Sequence, residues 1–326
     1  MKKIKTSQKI ISYIKKKGQA SGHELSDYLN ISSRAVRKQL NNLLKDNKIY
    51  KIGKPPKVFY LLVTSSEKQE IVIKNKKNRD YINQNYLIVT PSGEIKKGVD
   101  GFIYWCAKNR ISVEKTASEY VKTKKKFDAV KKIGLIDGME KIKSSFKNIY
   151  LDKVFYLDFY SIERFGKTKL GQLLLYAKQS QNKLLIKELT KEIKPKITSI
   201  IKKYNIDGVG YIPPTVKREL QFINELKKNL NLKKHILNIV KVKTQIIVPQ
   251  KTLNKLQDRI ENVRNTIIVD ENKKYNNILL IDDAVGSGAT LNQTAKKIKS
   301  QQICKGKIIG LAITGSFKGF DVISEV

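Results

Sequence analysis

The residues best suited to chemistry lie close together near the C-terminus. Asp282 and Asp283 follow four apolar residues, and the run Gly286-Ser287-Gly288-Ala289-Thr290 begins three residues further on. Adjacent carboxylates accept hydrogen bonds from sugar hydroxyls. A glycine- and hydroxyl-bearing turn at a helix start presents backbone N–H groups to an anion, aided by the positive end of the helix. A ribose 5-phosphate is a ligand that asks for both. The other phosphate loops fit less well. A P-loop needs Lys after its last glycine, where Ala289 stands, and a dinucleotide fingerprint needs a third glycine and a distant acid.

Positioning such groups takes a strand before them and a helix after them. Residues 278–281 read as a buried strand, and an amphipathic helix is expected from near Leu291. Further strands are expected over residues 154–159, 208–212, 245–248, 266–269 and 308–313, with one helix over 170–189 and another running to 203. Apolar strands alternating with amphipathic helices imply an α/β fold, a mostly parallel sheet with helices on both faces. Ligands of open α/β sheets sit beyond the carboxyl ends of the strands, which is where the two acids fall.

The run from Ile278 through Thr290 resembles the phosphoribosyl-diphosphate (PRPP) motif of type I phosphoribosyltransferases. More narrowly, residues 165–326 resemble the ComF-like branch in four segments taken in order. The first is Phe165-Gly-Lys-Thr-Lys-Leu-Gly-Gln-Leu-Leu-Leu-Tyr-Ala-Lys178. Then come Gly210-Tyr-Ile-Pro-Pro-Thr-Val-Lys-Arg218 with Gln221 and Asn224, the pair Pro249-Gln250 and Asp258-Arg259-Ile-Glu-Asn262, and the PRPP motif itself. The resemblance gives Asp282 and Asp283 the catalytic role of holding the ribose hydroxyls, and Gly286, Ser287, Gly288, Ala289 and Thr290 the 5-phosphate. It sets Lys217 and Arg218 towards the diphosphate. It implies PRPP as ligand with Mg²⁺ carried by PRPP and no direct protein ligand to the metal, and transfer of phosphoribosyl to an acceptor with loss of diphosphate. A non-catalytic regulator using PRPP or a nucleotide as effector is the alternative. Two departures stand out: the usual Thr-Thr-Gly-Ala-Thr loop has lost one hydroxyl here, and the four-cysteine zinc module of many relatives is missing.

In its place, residues 1–64 read as a small α+β winged-helix domain. Ser7 is expected to cap a helix bearing Ile10, Ile11 and Ile14, ended by Gly18. Ser21 and Glu24 have capping-box spacing ahead of a buried stripe of Leu25, Tyr28 and Leu29. Ser32 opens a third helix with Val36, Leu40, Leu43 and Leu44 on one face. Two apolar runs split by Gly53-Lys54-Pro55-Pro56 then form a hairpin with a basic tip. This order resembles winged helix-turn-helix domains, whose third helix enters the major groove of double-stranded DNA. The resemblance assigns Ser33, Arg34, Arg37, Lys38 and Asn41 to the groove, and Lys54 and Lys57 to the wing.

Composition sets the outer bounds. The formal charge of +37 has the look of a nucleic-acid footprint, but only eight of the 66 basic residues are arginine. The wealth of Lys, Asn and Ile is also what an AT-rich genome writes on any solvent face, so position must decide. Cys106 and Cys304 make no C-x-x-C pair, which speaks against a disulfide framework or a zinc site. No apolar stretch is long enough for a bilayer span, so a cytoplasmic protein with no membrane partner is expected. Residues 65–84 read as a linker. Residues 86–106 read as strands about the Pro91-Ser92-Gly93 turn, and a helix is expected from Ser112 to about Lys124. This middle segment, 65–148, carries no evident chemistry; packing or homodimerisation is its expected use. The phosphoribosyltransferase-like domain is expected over 149–326.

Overall fold

The computed structural model describes residues 5–63, 73–216, 218–242 and 244–316. The chain divides into two compact units, residues 1–71 and 72–326.

In the first unit, helices Thr6–Lys17, Gly22–Leu29 and Ser33–Lys45 pack around Ile10, Ile14, Leu25, Val36, Leu40 and Leu43. Strands Ile49–Lys54 and Lys57–Leu62 form an antiparallel hairpin, and Ala20–Ser21 pairs with the second of them. Two local expectations change. The first helix is capped one residue before Thr6, where the Lys5 amide donates to Gln8 Oε1 at 3.2 Å, and Ser7 lies inside the first turn. Tyr28, expected on the buried stripe, is 54% exposed: its ring leans on Tyr13, centroids 4.3 Å apart, at the edge of the core. The capping box forms as expected, with the Glu24 amide donating to Ser21 Oγ at 3.2 Å and the Ser21 amide to Glu24 Oε2 at 2.6 Å. Hydrogen bonding from the Ser21 amide, and then from its side chain, holds the Glu24 carboxyl below its ordinary range.

The second unit is built on a seven-stranded sheet. Its spatial order is His235–Ile236, Gly208–Tyr211, Ile278–Val285, Ile308–Gly315, Lys153–Phe159, Leu135–Asp137, Lys131–Lys132. The first five strands are mutually parallel, and the last two add an antiparallel edge. Alternation along each strand sorts side chains between two cores. Leu279, Ile281, Ile309, Leu311 and Phe155 face helices Lys169–Gln179, Lys183–Lys203 and Phe222–Leu230. Leu280, Ile308, Ala312 and Val154 face helices Leu256–Thr266 and Ala289–Ser300. Helices therefore cover both faces of a mostly parallel sheet, as its apolar strands require.

Several sequence expectations are corrected by this fold. The single helix expected over 170–189 is two, broken where Gln181 takes a left-handed φ of 52° and Asn182 Oδ1 accepts from the Leu184 amide at 2.9 Å. Residues 245–248 form no strand. The apolar side chains of this run find no core to face: Ile246 is 75% exposed, and Ile247 and Val248 are exposed as well. Its place is taken by Ile239–Lys241, antiparallel to Ile267–Val269. The linker expected over 65–84 contains helix Lys76–Asn85, capped by Asn75 and anchored through buried Ile82. Phe102, Tyr104 and Trp105, read as strand residues, lie on helix Gly98–Lys108 after a hairpin of Leu87–Val89 and Ile95–Lys97. Packing of Phe102 against Tyr86 and Tyr120 overrides the strand preference of aromatic residues.

Candidate functional site

The connections diverge at one place in the parallel sheet. Strand Gly208–Tyr211 leads through helix Phe222–Leu230 to His235–Ile236 on its outer side. Its neighbour Ile278–Val285 leads through helix Ala289–Ser300 to Ile308–Gly315 on the opposite side. A crevice must open between two strands whose crossovers part in this way. It is deepened by a difference in length: Gly208–Tyr211 ends opposite Ile281, so Asp282 and Asp283 run on past it. A cavity of about 240 Å³ fills the gap.

The residues singled out in the sequence meet there. Asp282, Asp283, Gly286, Ser287, Gly288, Ala289, Thr290 and Arg218 all line the cavity. Lys217 lies outside the described residues. Gly288 has φ of 80°, a left-handed conformation that favours glycine, and a Cβ there would press on the end of the Ile142 side chain. The amides that begin helix Ala289–Ser300 have no intrahelical acceptor. Ser287 is buried, and its Oγ accepts from the Ala289 amide at 3.3 Å.

Cations that the sequence did not single out surround the acids. Lys178, in the last turn of Lys169–Gln179, places Nζ 2.5 Å from Asp283 Oδ2. The Lys178 carbonyl accepts in turn from Arg218. Lys241, at the end of Ile239–Lys241, donates to Thr215 Oγ1 at 2.8 Å. Burial pushes its ammonium below the usual lysine range, and the facing Asp282 carboxylate offsets part of that. Asp282 itself is pushed up to about 8, first by burial and then by the Asp283 charge. The signal available in the sequence was spacing alone: Lys178 closes the first of the four ordered segments, while Lys241 ends a strand that was expected at 245–248 instead.

Gln250, Arg259 and Asn262 form a clasp. Gln250 Nε2 donates to the Arg259 carbonyl at 3.0 Å and to Asn262 Oδ1 at 3.1 Å, and Asn262 Nδ2 donates to the Val248 carbonyl at 3.3 Å. The loop before helix Leu256–Thr266 is thereby tied to it, which explains the spacing of that segment. Among the described residues no group of three or more His, Cys, Asp or Glu side chains could hold a metal ion.

A second cluster lies away from the cavity. Lys124, 3% exposed, sets Nζ 2.6 Å from Asp128 and 3.6 Å from Asp158, and Lys131 reaches the same two carboxylates at 2.7 and 2.8 Å. Burial works against the Asp128 charge, but hydrogen bonds from Lys124, Lys131 and Tyr81 bring its carboxyl down to about 2. This cluster joins helix Val113–Ala129 and the hairpin at the sheet edge to strand Lys153–Phe159.

In the first unit, Ser33, Arg34, Arg37, Lys38 and Asn41 are all exposed on the third helix, and Lys57 is exposed at the hairpin tip. No carboxylate among the described residues pairs with Arg34, Arg37, Lys38 or Lys57. The side chain of Lys54 lies outside the described residues.

The two units thus define a small α+β helix-turn-helix fold and a mixed α/β fold with a mostly parallel sheet. A family model described as an HTH domain matches residues 6–57. No phosphoribosyltransferase or ComF family model matches the α/β unit, and no curated protein matches the chain. No helix among the described residues is long and apolar enough to cross a membrane.

Proposed function

We propose that the protein is a DNA-binding regulator whose α/β unit binds PRPP or a nucleotide as effector. The observation that carries this reading is the presence in one chain of an HTH domain and a cavity lined by three kinds of group. Two carboxylates, a glycine turn opening a helix, and the cations Lys241 and Arg218 all line it. Such a lining suits ribose hydroxyls, a 5-phosphate and a diphosphate respectively. Double-stranded DNA would be gripped by Ser33, Arg34, Arg37, Lys38 and Asn41 in the major groove, with Lys54 and Lys57 at the backbone.

Asp283 bears on the choice between sensing and transfer. It is held by Lys178 at 2.5 Å, so a sugar hydroxyl must share or displace that cation. Binding would then alter an existing ion pair, which gives a ligand a structural consequence without any bond breaking. Mg²⁺, when brought by PRPP, would neutralise diphosphate charge.

Phosphoribosyl transfer is the second reading, favoured by the desolvated Lys241 beside Thr215. In that case diphosphate leaves the anomeric carbon as the acceptor approaches, and Lys241 and Arg218 stabilise the departing charge. Incubation with PRPP, Mg²⁺ and a panel of nucleobases separates the two. Calorimetric binding with no diphosphate release supports an effector, release supports a transferase, and absence of binding both to PRPP and to a panel of nucleotides sinks both.

A further inference from the structure

Arg259 projects beside the glycine turn without a counter-charge, its stem buried and its Nη groups open to the cavity. The residue is 6% exposed, on helix Leu256–Thr266, and its side chain lines the cavity. Nε donates to the Leu253 carbonyl at 2.7 Å. Neither Nη group meets a protein acceptor among the described residues, and no carboxylate there pairs with the residue. An Nη atom lies 3.5 Å from where a Cβ of Gly286 would stand, so the cation is directed at the start of the Gly286–Thr290 turn. A partly desolvated cation held at a cavity wall without a protein counter-charge is placed to meet an anion. Burial alone sets its environment, with no neighbouring charge to offset it.

A purely structural arginine would be satisfied throughout by carbonyls or acids of its own fold, as Nε is by Leu253, and a surface arginine would extend freely into bulk water. Arg259 instead holds its stem in the fold and its Nη groups in the cavity. Its helix is fixed by the clasp of Gln250 and Asn262, which holds the Arg259 carbonyl and so fixes the residue from which the side chain projects.

We infer that Arg259 is the charged half of a phosphate site whose other half is the amide turn Gly286–Thr290, so that the cavity selects ligands carrying a phosphate monoester. The inference rests on the sugar-phosphate reading of this cavity and deepens it. A planar fork of Nη donors can meet two phosphate oxygens at once, while the turn amides meet the others. A ribose lacking its phosphate would leave the guanidinium unmatched, which discriminates against nucleosides more strongly than a lost hydrogen bond to a neutral group.

The test compares wild type with Arg259→Met and Arg259→Lys in the full chain, by calorimetry with PRPP and Mg²⁺, ribose 5-phosphate, ribose, and inorganic diphosphate with Mg²⁺. Wild type should bind ribose 5-phosphate and not ribose. Arg259→Met should weaken PRPP and ribose 5-phosphate on the order of 30-fold, the loss typical of a charge-assisted hydrogen bond, and leave diphosphate unchanged. Arg259→Lys should recover part of the loss. Thermal unfolding without ligand gives an independent readout, because a side chain that serves its own fold through one hydrogen bond to Leu253 should leave the midpoint of the Met variant close to that of wild type. A fall in that midpoint with PRPP affinity retained would mark Arg259 as structural and overturn the proposal while leaving the sugar-phosphate reading intact. Should the Met variant fail to fold, Arg259→Lys decides: ribose 5-phosphate bound as tightly as by wild type overturns the forked contact, and a selective loss supports it. Failure of wild type to bind PRPP or ribose 5-phosphate would end the underlying reading as well.

Discussion

Replacing Asp283 by Asn separates two roles that the geometry gives this carboxylate. In the free protein it pairs with Lys178 at 2.5 Å, with side chains 22% and 18% exposed. A pair so placed is worth less than a fully buried one and more than one at the surface, so Asp283→Asn should cost about 1–2 kcal/mol of stability. In the complex the same oxygens are to accept from ribose hydroxyls. Exchanging a charged acceptor for a neutral one should cost about 1–1.5 kcal/mol, roughly tenfold in Kd for PRPP. Lys178→Met in the Asp283→Asn background removes the orphaned ammonium. It should restore most of the stability measured by urea unfolding and none of the affinity measured by calorimetry. Two results would refute the reasoning. PRPP affinity within about twofold of wild type in Asp283→Asn would take the ribose off this carboxylate. Recovery of affinity in the double variant would mean that Asp283 acts only through Lys178.

Other consequences can be checked alongside. Arg34→Ala combined with Arg37→Ala should lower duplex affinity and reduce the salt slope by up to about 2, read by fluorescence anisotropy across a salt series; an unchanged slope would remove the third helix from the groove. Because the folded-state carboxyl of Asp282 sits at about 8, above its unfolded value, the native state binds the extra proton and loses stability as pH rises between the two. Asp282→Asn should therefore gain stability over wild type as pH is raised from 5 to about 8, and a pH-independent difference would contradict that. Lys124→Met breaks a buried pair with Asp128 and Asp158, and urea unfolding should show a loss of about 3 kcal/mol. A loss under about 1 kcal/mol would mean that Lys131 alone suffices to compensate both acids.

Local chemistry was legible in the sequence: the Ser21 and Glu24 box, the apolar stripe of the third helix, and the order of strand, acid doublet and glycine turn. Each depends on contacts within a few positions along the chain. What failed depended on partners far away. Helix Lys76–Asn85 has too few apolar residues to announce itself and is anchored through Ile82, while Phe102 chose a helix because Tyr86 and Tyr120 were there to meet it. The acids and glycines of the cavity come from one segment and could be seen together. Lys178, Lys241 and Arg259 arrive on three other elements, and only the sheet order brings them to the same crevice.

Whether a sugar phosphate is coupled to DNA through one chain can be read from a single titration. A duplex obtained by in vitro selection on the full-length protein is titrated at fixed salt, with and without PRPP and Mg²⁺. The account requires the apparent Kd for DNA to shift on adding PRPP, and the shift to vanish in the Asp283→Asn variant at the same PRPP concentration. Identical DNA curves with and without PRPP, in a protein that calorimetry shows to be saturated, would contradict it.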